Sequence, residues 1–103
     1  MQEVDNITCI NKGAFIMKFR VEWSNNTGVS GWTDEYPVDQ QASLDLNNFA
    51  IPEGGEVVVE VKAEAGEKKH THEPVLFKRN CNNNATYLAT GTTLDIHVDL
   101  LGG

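Results

Sequence analysis

The chain has 103 residues, of which 40% are hydrophobic and 22% are charged. These proportions predict one soluble globular domain over residues 1–103 and exclude a disordered chain. The 15 acidic residues outnumber the 8 basic ones and give a net charge of −7, which repels nucleic-acid phosphates and anionic lipid headgroups. Because the longest apolar runs are only a few residues long, as at 57–59, we also predict no membrane insertion.

Strict alternation identifies the first strong strand. After a weaker strand at 7–11, the odd positions from Phe15 to Trp23 are all apolar. The positions between them include three charged residues, Lys18, Arg20 and Glu22. Successive side chains of a strand point to opposite faces, so this pattern predicts a strand that buries its odd residues and exposes the charged ones.

A long irregular stretch, 27–41, follows this strand and is longer than a hairpin needs. It carries Trp32 and Tyr36 together with Asp34 and Asp39. A flat aromatic ring stacks on the C–H face of a pyranose, and neighbouring carboxylates and amides bind its hydroxyl groups. These four residues are therefore predicted to bind carbohydrate. The alternative is that both rings pack over a sheet edge.

Strands separated by short turns fill the rest of the chain. The segments 56–64 and 94–100 repeat the alternation, and weaker strands are predicted at 42–46, 74–79 and 85–89. Turns rich in Gly, Asn and Pro separate them. Strands that are solvated on one face are typical of antiparallel sheets. The sequence therefore predicts an all-β fold, an antiparallel two-sheet β-sandwich with essentially no helix.

The sequence contains no nucleophile motif and no phosphate-binding glycine loop, so we predict that the protein is not an enzyme. His70 and His72 would share one face of a strand, and His97 or Glu73 would supply a third metal ligand. The alternative, which we adopt, is an exposed polar strand start without a metal. A calcium cofactor is a further hypothesis, which rests on three oxygen-bearing residues, Asp34, Asp39 and Asp45.

A second polar set lies at a predicted hairpin tip near the C-terminal end of the chain. Three asparagines at 82–84 are followed by Tyr87. Amide side chains both donate and accept hydrogen bonds, which suits them to sugar hydroxyls. We therefore predict Asn83 and Tyr87 as further carbohydrate contacts.

Two cysteines, Cys9 and Cys81, show no metal-ligand spacing. Two interpretations stay open: buried free thiols in a cytosolic protein, or one disulfide that closes a loop of about 73 residues and stabilises the fold by roughly 4 kcal/mol. We predict the disulfide. Residues 1–5 lack a basic segment followed by an apolar one, which fits a mature form with an added Met or a protein without a standard export signal.

The small size, the two cysteines, the alternating strands and the Asn/Asp-rich loops resemble a slime-mould hemagglutinin, a compact secreted lectin. The stretches that carry the resemblance are 7–13 running into 15–23, and 91–96. It implies a β-sandwich related in architecture to legume lectins and galectins, secretion, and glycan binding at cell surfaces. The chain has no legume-type metal signature and no galectin-type His-Asn-Arg motif, so the resemblance assigns no binding residue.

The sequence thus predicts a non-catalytic lectin whose partners are oligosaccharides and glycoproteins. Agglutination needs two sites per particle, so such a lectin would form a homodimer or carry two sites. The alternative is a non-enzymatic β-sandwich protein-interaction module, in which Trp32 and Tyr36 anchor a protein partner. A pore-forming or membrane-surface module is a third hypothesis, against which the net charge argues.

Overall fold

The computed structural model describes residues 1–24 and 27–102. That part of the chain contains ten β-strands, one turn of 3-10 helix at Leu46–Asn48 and no α-helix, which confirms the predicted all-β fold. The strands are β1 (Glu3–Val4), β2 (Asn6–Asn11), β3 (Met17–Trp23), β4 (Gly28–Val29), β5 (Gln41–Asp45), β6 (Glu56–Ala63), β7 (Lys68–His70), β8 (Val75–Phe77), β9 (Asn84–Thr92) and β10 (Asp95–Leu101). No helix in the described ranges is long and apolar enough to cross a membrane.

The strands form two sheets. The six-stranded sheet has the order β1-β8-β6-β3-β4, with β7 also paired to β6, and the four-stranded sheet has the order β10-β9-β2-β5. Most pairs are antiparallel, but β1 pairs with β8 and β2 pairs with β9 in parallel. The prediction of wholly antiparallel sheets is wrong at these two pairs, because alternation reports which face is buried and not the direction of the neighbouring strand.

The start of the chain joins the two sheets. β1 belongs to the six-stranded sheet and β2 to the four-stranded sheet, so the chain crosses from one to the other at Asp5, the residue between them. β2 then lies between β9 and β5, with Cys9 in register with Tyr87 on one side and Ala42 on the other.

One apolar cluster takes side chains from both sheets. Met17, Phe19 and Val21 on β3 are fully buried, as the alternation predicts. The other sheet contributes residues such as Ile7 and Tyr87, and Tyr87 is among the largest fully buried side chains. Each buried side chain of this kind stabilises the fold by about 1.5–3 kcal/mol.

Three side chains clearly depart from the predicted burial. Glu22 on β3 and Glu60 on β6, which the alternation places on exposed faces, are only 3% and 2% exposed, and both contact His70 on β7. Leu94, which was predicted to be buried, is 74% exposed because it lies in the turn between β9 and β10.

Candidate functional site

One end of the two sheets is organised around Asp5. The Asp5 carboxylate accepts hydrogen bonds from the side chain of Asn47 (3.1 Å) and from the backbone N–H groups of Asn82 (3.1 Å) and Asn83 (3.2 Å). The backbone N–H of Asp5 donates to the Asn83 carbonyl (3.0 Å), and its carbonyl accepts from the Leu46 N–H (2.8 Å). Asp5 therefore fixes the loop after β8 and the turn after β5 at the point where the chain changes sheets.

These hydrogen bonds favour the charged form of Asp5, which is 8% exposed. The bond from the Asn47 side chain contributes most to lowering the pKa of Asp5 below its ordinary value of 3.8, burial opposes it, and the Asn82 and Asn83 N–H groups lower it further. A carboxyl whose pKa is depressed in the folded state stabilises that state above the unfolded pKa. This contribution is lost as the pH falls through the folded pKa.

The asparagine-rich loop between β8 and β9 uses left-handed backbone at two positions. Asn80 has φ of 57° and Asn82 has φ of 59°, values that asparagine adopts more readily than most residues. The N–H of Asn80 donates to the Asn47 side-chain oxygen (3.0 Å), and the Arg79 guanidinium donates to the Asn47 carbonyl (3.0 Å). Some of these asparagines are therefore explained by the backbone conformation of the loop.

Carboxylates and amides line an open pocket of about 370 Å³ at this end of the molecule. The lining residues are Asp5, Asn6, Asp45, Asn47, Asn82, Asn83 and Asn84. We call this pocket with its surrounding loops the polar end. Within the described residues Asn82 hydrogen-bonds through its backbone N–H alone, and the Asn83 amide makes one long bond to the Glu3 carbonyl (3.4 Å). Both side-chain amides are therefore available to a polar ligand.

The remaining asparagines of the pocket are held along the parallel β2–β9 pair. The Asn6 amide donates to the Asn84 side-chain oxygen (2.6 Å), which also accepts from the Thr8 hydroxyl (3.0 Å). The Asn84 amide in turn donates to the Thr86 hydroxyl (3.0 Å). This chain of bonds orients the two amides and leaves the Asn6 side-chain oxygen as an acceptor.

The predicted carbohydrate loop runs beside β3 as an irregular edge segment. The N–H of Thr33 donates to the Phe19 carbonyl (2.9 Å), and Tyr36 and Met17 exchange two backbone bonds (3.0 and 2.8 Å). The length of 27–41 therefore reflects an imperfect strand and not a free binding loop.

The ring of Trp32 packs on charged side chains of the outer face of β3. The Arg20 guanidinium carbon lies 4.4 Å from the ring centroid and the Lys18 ammonium 5.2 Å from it. Both distances are in the range of cation–π contacts. The Trp32 side chain is partly exposed, and two cationic side chains contact its ring.

The aspartates that were considered for sugar or calcium do not converge. Asp34 is exposed in the edge segment, Asp39 pairs with Lys12 (2.8 Å), and Asp45 lines the pocket of the polar end. Three carboxylates in three places provide no shared calcium site.

Tyr36 and Tyr87, two of the predicted sugar contacts, belong to the core. Each is buried, and each hydroxyl donates to a backbone carbonyl, from Tyr36 to Cys9 (2.8 Å) and from Tyr87 to Glu73 (2.6 Å). Burial raises the pKa of both phenols. Neither ring can stack on a ligand in this arrangement, because the core covers it.

Both cysteines are free thiols in the structure, without the predicted bridge. Cys9 lies three residues along β2 from the Asn6–Asn84 pair, about 10 Å at strand spacing, and Cys81 lies on the other side of that pair. A disulfide needs Cα atoms within about 7 Å. Burial raises the pKa of Cys9 to about 12, which makes it an inert thiol.

The histidines are not grouped as the metal hypothesis required. His70 lies beside the buried Glu22 and Glu60, while His72 and His97 are exposed elsewhere. The pair at 70 and 72 therefore does not share one ion.

The opposite end of the molecule, which we call the apolar end, is formed by residues 12–16, 64–67 and 91–95. Its loops are joined by main-chain hydrogen bonds, from the Glu64 N–H to the Ile16 carbonyl (2.8 Å) and from the Glu67 N–H to the Thr93 carbonyl (3.0 Å). Two apolar side chains are exposed there, Leu94 at 74% and Ile16 at 42%.

The sequence-based prediction of sugar contacts includes Asn83 but not the pocket residues that precede it in the chain, Asp5, Asn6, Asp45 and Asn47, of which Asp45 is considered only for calcium. One signal was present in the sequence. The apolar residues Val4 and Ile7, both buried in the structure, are three positions apart, whereas a strand repeats its faces every two residues. That break marks the crossing between the sheets and the residues around it.

No protein family matches the chain, and no curated protein is significantly similar to it in sequence. Solved structures do share its fold. It is similar to listeriolysin O (TM-score 0.52, 14% identity), to pneumolysin (0.51, 11%) and to a non-hemolytic pneumolysin from Streptococcus pneumoniae (0.50, 10%). Each likeness covers 95% of this chain and 22% or 23% of the other chain. The chain therefore spans less than a quarter of the length of these proteins, and the likeness is one of fold.

Proposed function

We propose that this chain is a non-catalytic carbohydrate-binding domain, a secreted lectin of the hemagglutinin type, which binds glycans of cell-surface glycoproteins in the pocket of the polar end. The observation that carries the proposal is the pocket of about 370 Å³ lined by aspartates and asparagines alone. Its volume lies within the range of small-molecule sites.

The chemistry of the lining fits sugar hydroxyls. Each hydroxyl donates one hydrogen bond and accepts others, and an amide side chain offers both functions from one group. The amides of Asn82 and Asn83 are available, and the Asp45 carboxylate adds a charged acceptor beside them. Among the described residues no aromatic ring lines the pocket, so affinity would rest on hydrogen bonds. A homodimer would strengthen such weak single-site binding through multivalency.

The same proposal includes the β-sandwich arrangement of the two sheets. The apolar cluster draws on alternate residues of both sheets, as expected when two sheets cover each other. In that arrangement the polar end is a loop-bearing edge of the sandwich, where binding sites on rigid sheets commonly lie.

A glycan array tests the proposal with variants that leave the backbone unstrained. Asn82→Gly keeps the left-handed φ at that position and removes the amide, and Asn83→Ala removes the second amide. Each variant is expected to lose at least about tenfold in affinity for the best glycan, because removing an uncharged amide deletes its hydrogen bonds to the sugar. Asp34→Ala, in the edge segment, is the matched control and should bind like the wild type.

Two results would contradict the proposal. One is equal binding by the wild type and both asparagine variants, which would move the site elsewhere. The other is the absence of any glycan signal, which would favour a protein-interaction module.

The apolar end supports a second candidate function, contact with the surface of an uncharged lipid bilayer. Leu94 and Ile16 are exposed on loops that share hydrogen bonds with 64–67, and the solved structures of similar fold include toxins. Burying one leucine side chain contributes about 1.5–3 kcal/mol, which is enough for weak binding. The charge of −7 restricts this candidate to membranes without net negative charge.

Flotation with phosphatidylcholine vesicles tests this candidate. Leu94→Gln should reduce the bound fraction about tenfold, the loss expected for one leucine side chain. Leu101→Gln, an exposed leucine at the end of β10 away from Leu94, is the control and should not change it. Flotation that is equal in both variants would exclude a specific role of the apolar end.

A further inference from the structure

Three neighbouring strands of the six-stranded sheet bring three ligand groups to one point on its outer face. Glu60 on β6 lies in register with Arg20 on β3 and with His70 on β7. Glu22, two residues after Arg20, projects from the same face of β3. The ligand atoms of the two glutamates and the histidine all lie within 4.8 Å of one another.

The two carboxylates are buried and only partly balanced in charge. Glu22 is 3% exposed and Glu60 is 2% exposed. The Arg20 side chain donates to one oxygen of Glu60 (2.8 Å), but among the described residues the ion pairing of Glu22 is with His70 alone. Buried carboxylates are costly without a compensating cation, so two negative charges beside one permanent positive charge call for a further positive charge.

Hydrogen bonding by His70 does not fully satisfy this cluster. Its ring nitrogen Nε2 lies 2.5 Å from Glu22 Oε1 and 3.1 Å from Glu60 Oε2. One ring nitrogen carries at most one proton, so it cannot donate a well-aligned bond to both carboxylates. A cation between the three atoms would bind all of them at once.

We propose that Glu22, Glu60 and His70 form a binding site for a divalent transition-metal ion, and that zinc is the ion their chemistry fits best. Zinc binds imidazole nitrogen and carboxylate oxygen at about 2.0–2.2 Å in a tetrahedron. That geometry places ligand atoms about 3.3 Å apart, so the distance between Glu22 Oε1 and His70 Nε2 has to increase by less than about 1 Å.

The surroundings support such a site. The second oxygen of Glu60 is held by Arg20, an outer contact of the kind that orients metal-binding carboxylates. The side chain of His70 is 45% exposed, which gives an ion access and leaves the fourth position to water. The site shares no residue with the pocket of the polar end, and the proposal does not depend on the proposed sugar binding.

Titration of chelator-treated protein with zinc, followed by calorimetry, tests the proposal. One ion per chain is expected, and cobalt in its place should give the visible absorption of a tetrahedral site. Zinc should also raise the Tm, because a ligand that binds the folded state stabilises it. His70→Ala and Glu60→Gln should each weaken zinc binding at least about tenfold. The matched controls, His72→Ala and His97→Ala, are exposed histidines outside the cluster and should bind zinc as the wild type does.

Three outcomes would overturn the proposal: no zinc binding by the wild type, unchanged binding by His70→Ala, or an equal loss in His97→Ala. Circular dichroism shows whether each variant is folded. If Glu60→Gln unfolds, Glu22→Gln and His70→Ala decide, because His70 lies on a short exposed strand whose loss leaves the core intact.

Discussion

The two ends of the molecule are built from the same sheets but are stabilised differently. At the polar end, loops are bound to a side chain, the carboxylate of Asp5, which accepts from Asn82 and Asn83. At the apolar end, loops are bound by main-chain hydrogen bonds, as between Glu67 and Thr93, and by the uncharged amide side chain of Asn11. A carboxylate titrates in acid, whereas an amide does not. Acid should therefore loosen the polar end and leave the hydrogen bonds of the apolar end in place.

The largest effect is expected at the apolar end from Gly91→Ala. Gly91 has φ of 99°, and an added Cβ would lie 2.0 Å from the Asp95 carbonyl oxygen. Because the contact is with backbone, no side-chain movement relieves it, and we expect a loss of more than about 3 kcal/mol in urea unfolding. Gly31→Ala is the control, since nothing lies within 4 Å of its added Cβ, and it should change stability by less than about 0.5 kcal/mol. Equal stability of the two variants would show that the backbone at the apolar end shifts to accommodate the added methyl group.

An intermediate effect is expected at the polar end from Asp5→Asn. At neutral pH this variant should lower the Tm by several degrees, because the amide is uncharged and one of its two acceptor positions is replaced by a donor. The pKa of Asp5 is lowered in the folded state, so the wild type should lose Tm as the pH falls below about 4, and the gap to the variant should close. Asp95→Asn, at the apolar end, is the control. A gap that stays constant in acid would mean that Asp5 does not carry the difference between the ends.

The smallest effect is expected from Trp32→Ala, because Trp32 lies at neither end. Loss of its contacts with Arg20 and Lys18 should cost about 0.5–1 kcal/mol in urea unfolding. Glycan affinity should stay unchanged if the pocket of the polar end is the site. Trp32→Phe, which keeps a ring, should restore most of the stability. A large loss of glycan affinity in Trp32→Ala would instead return the site to the edge segment.

Alternation predicted the strands with one buried face well, and β3 shows why. The burial of Met17, Phe19 and Val21 depends on a period of two that can be seen locally. The short strand β7 has no buried residue and therefore no such pattern. The burial of Glu22 depends on His70, which lies far away in sequence on another strand, so no local pattern could reveal it.

The candidate site was less predictable than the fold for the same reason. Asn83 belongs to a visible asparagine run, but Asp5 is a single acidic residue whose role depends on partners from two distant segments. The aromatic residues misled in the opposite direction. Tyr36 and Tyr87 are of a residue type that is common in sugar sites, but both are buried. Whether an aromatic ring is covered depends on the packing of both sheets.

The parallel pairing of β2 with β9 has a consequence for synthesis on the ribosome. β2 is synthesised well before its partner β9, which begins at Asn84, so the centre of the four-stranded sheet cannot close until β9 has emerged. Until then β2 has β5 as its sheet partner, and a two-stranded ribbon is marginally stable in water. Pairing over such long sequence separations slows folding to the millisecond-to-second range and leaves a strand edge open in the meantime. A nascent or truncated chain that stops before β9 would therefore present an aggregation-prone edge to other chains.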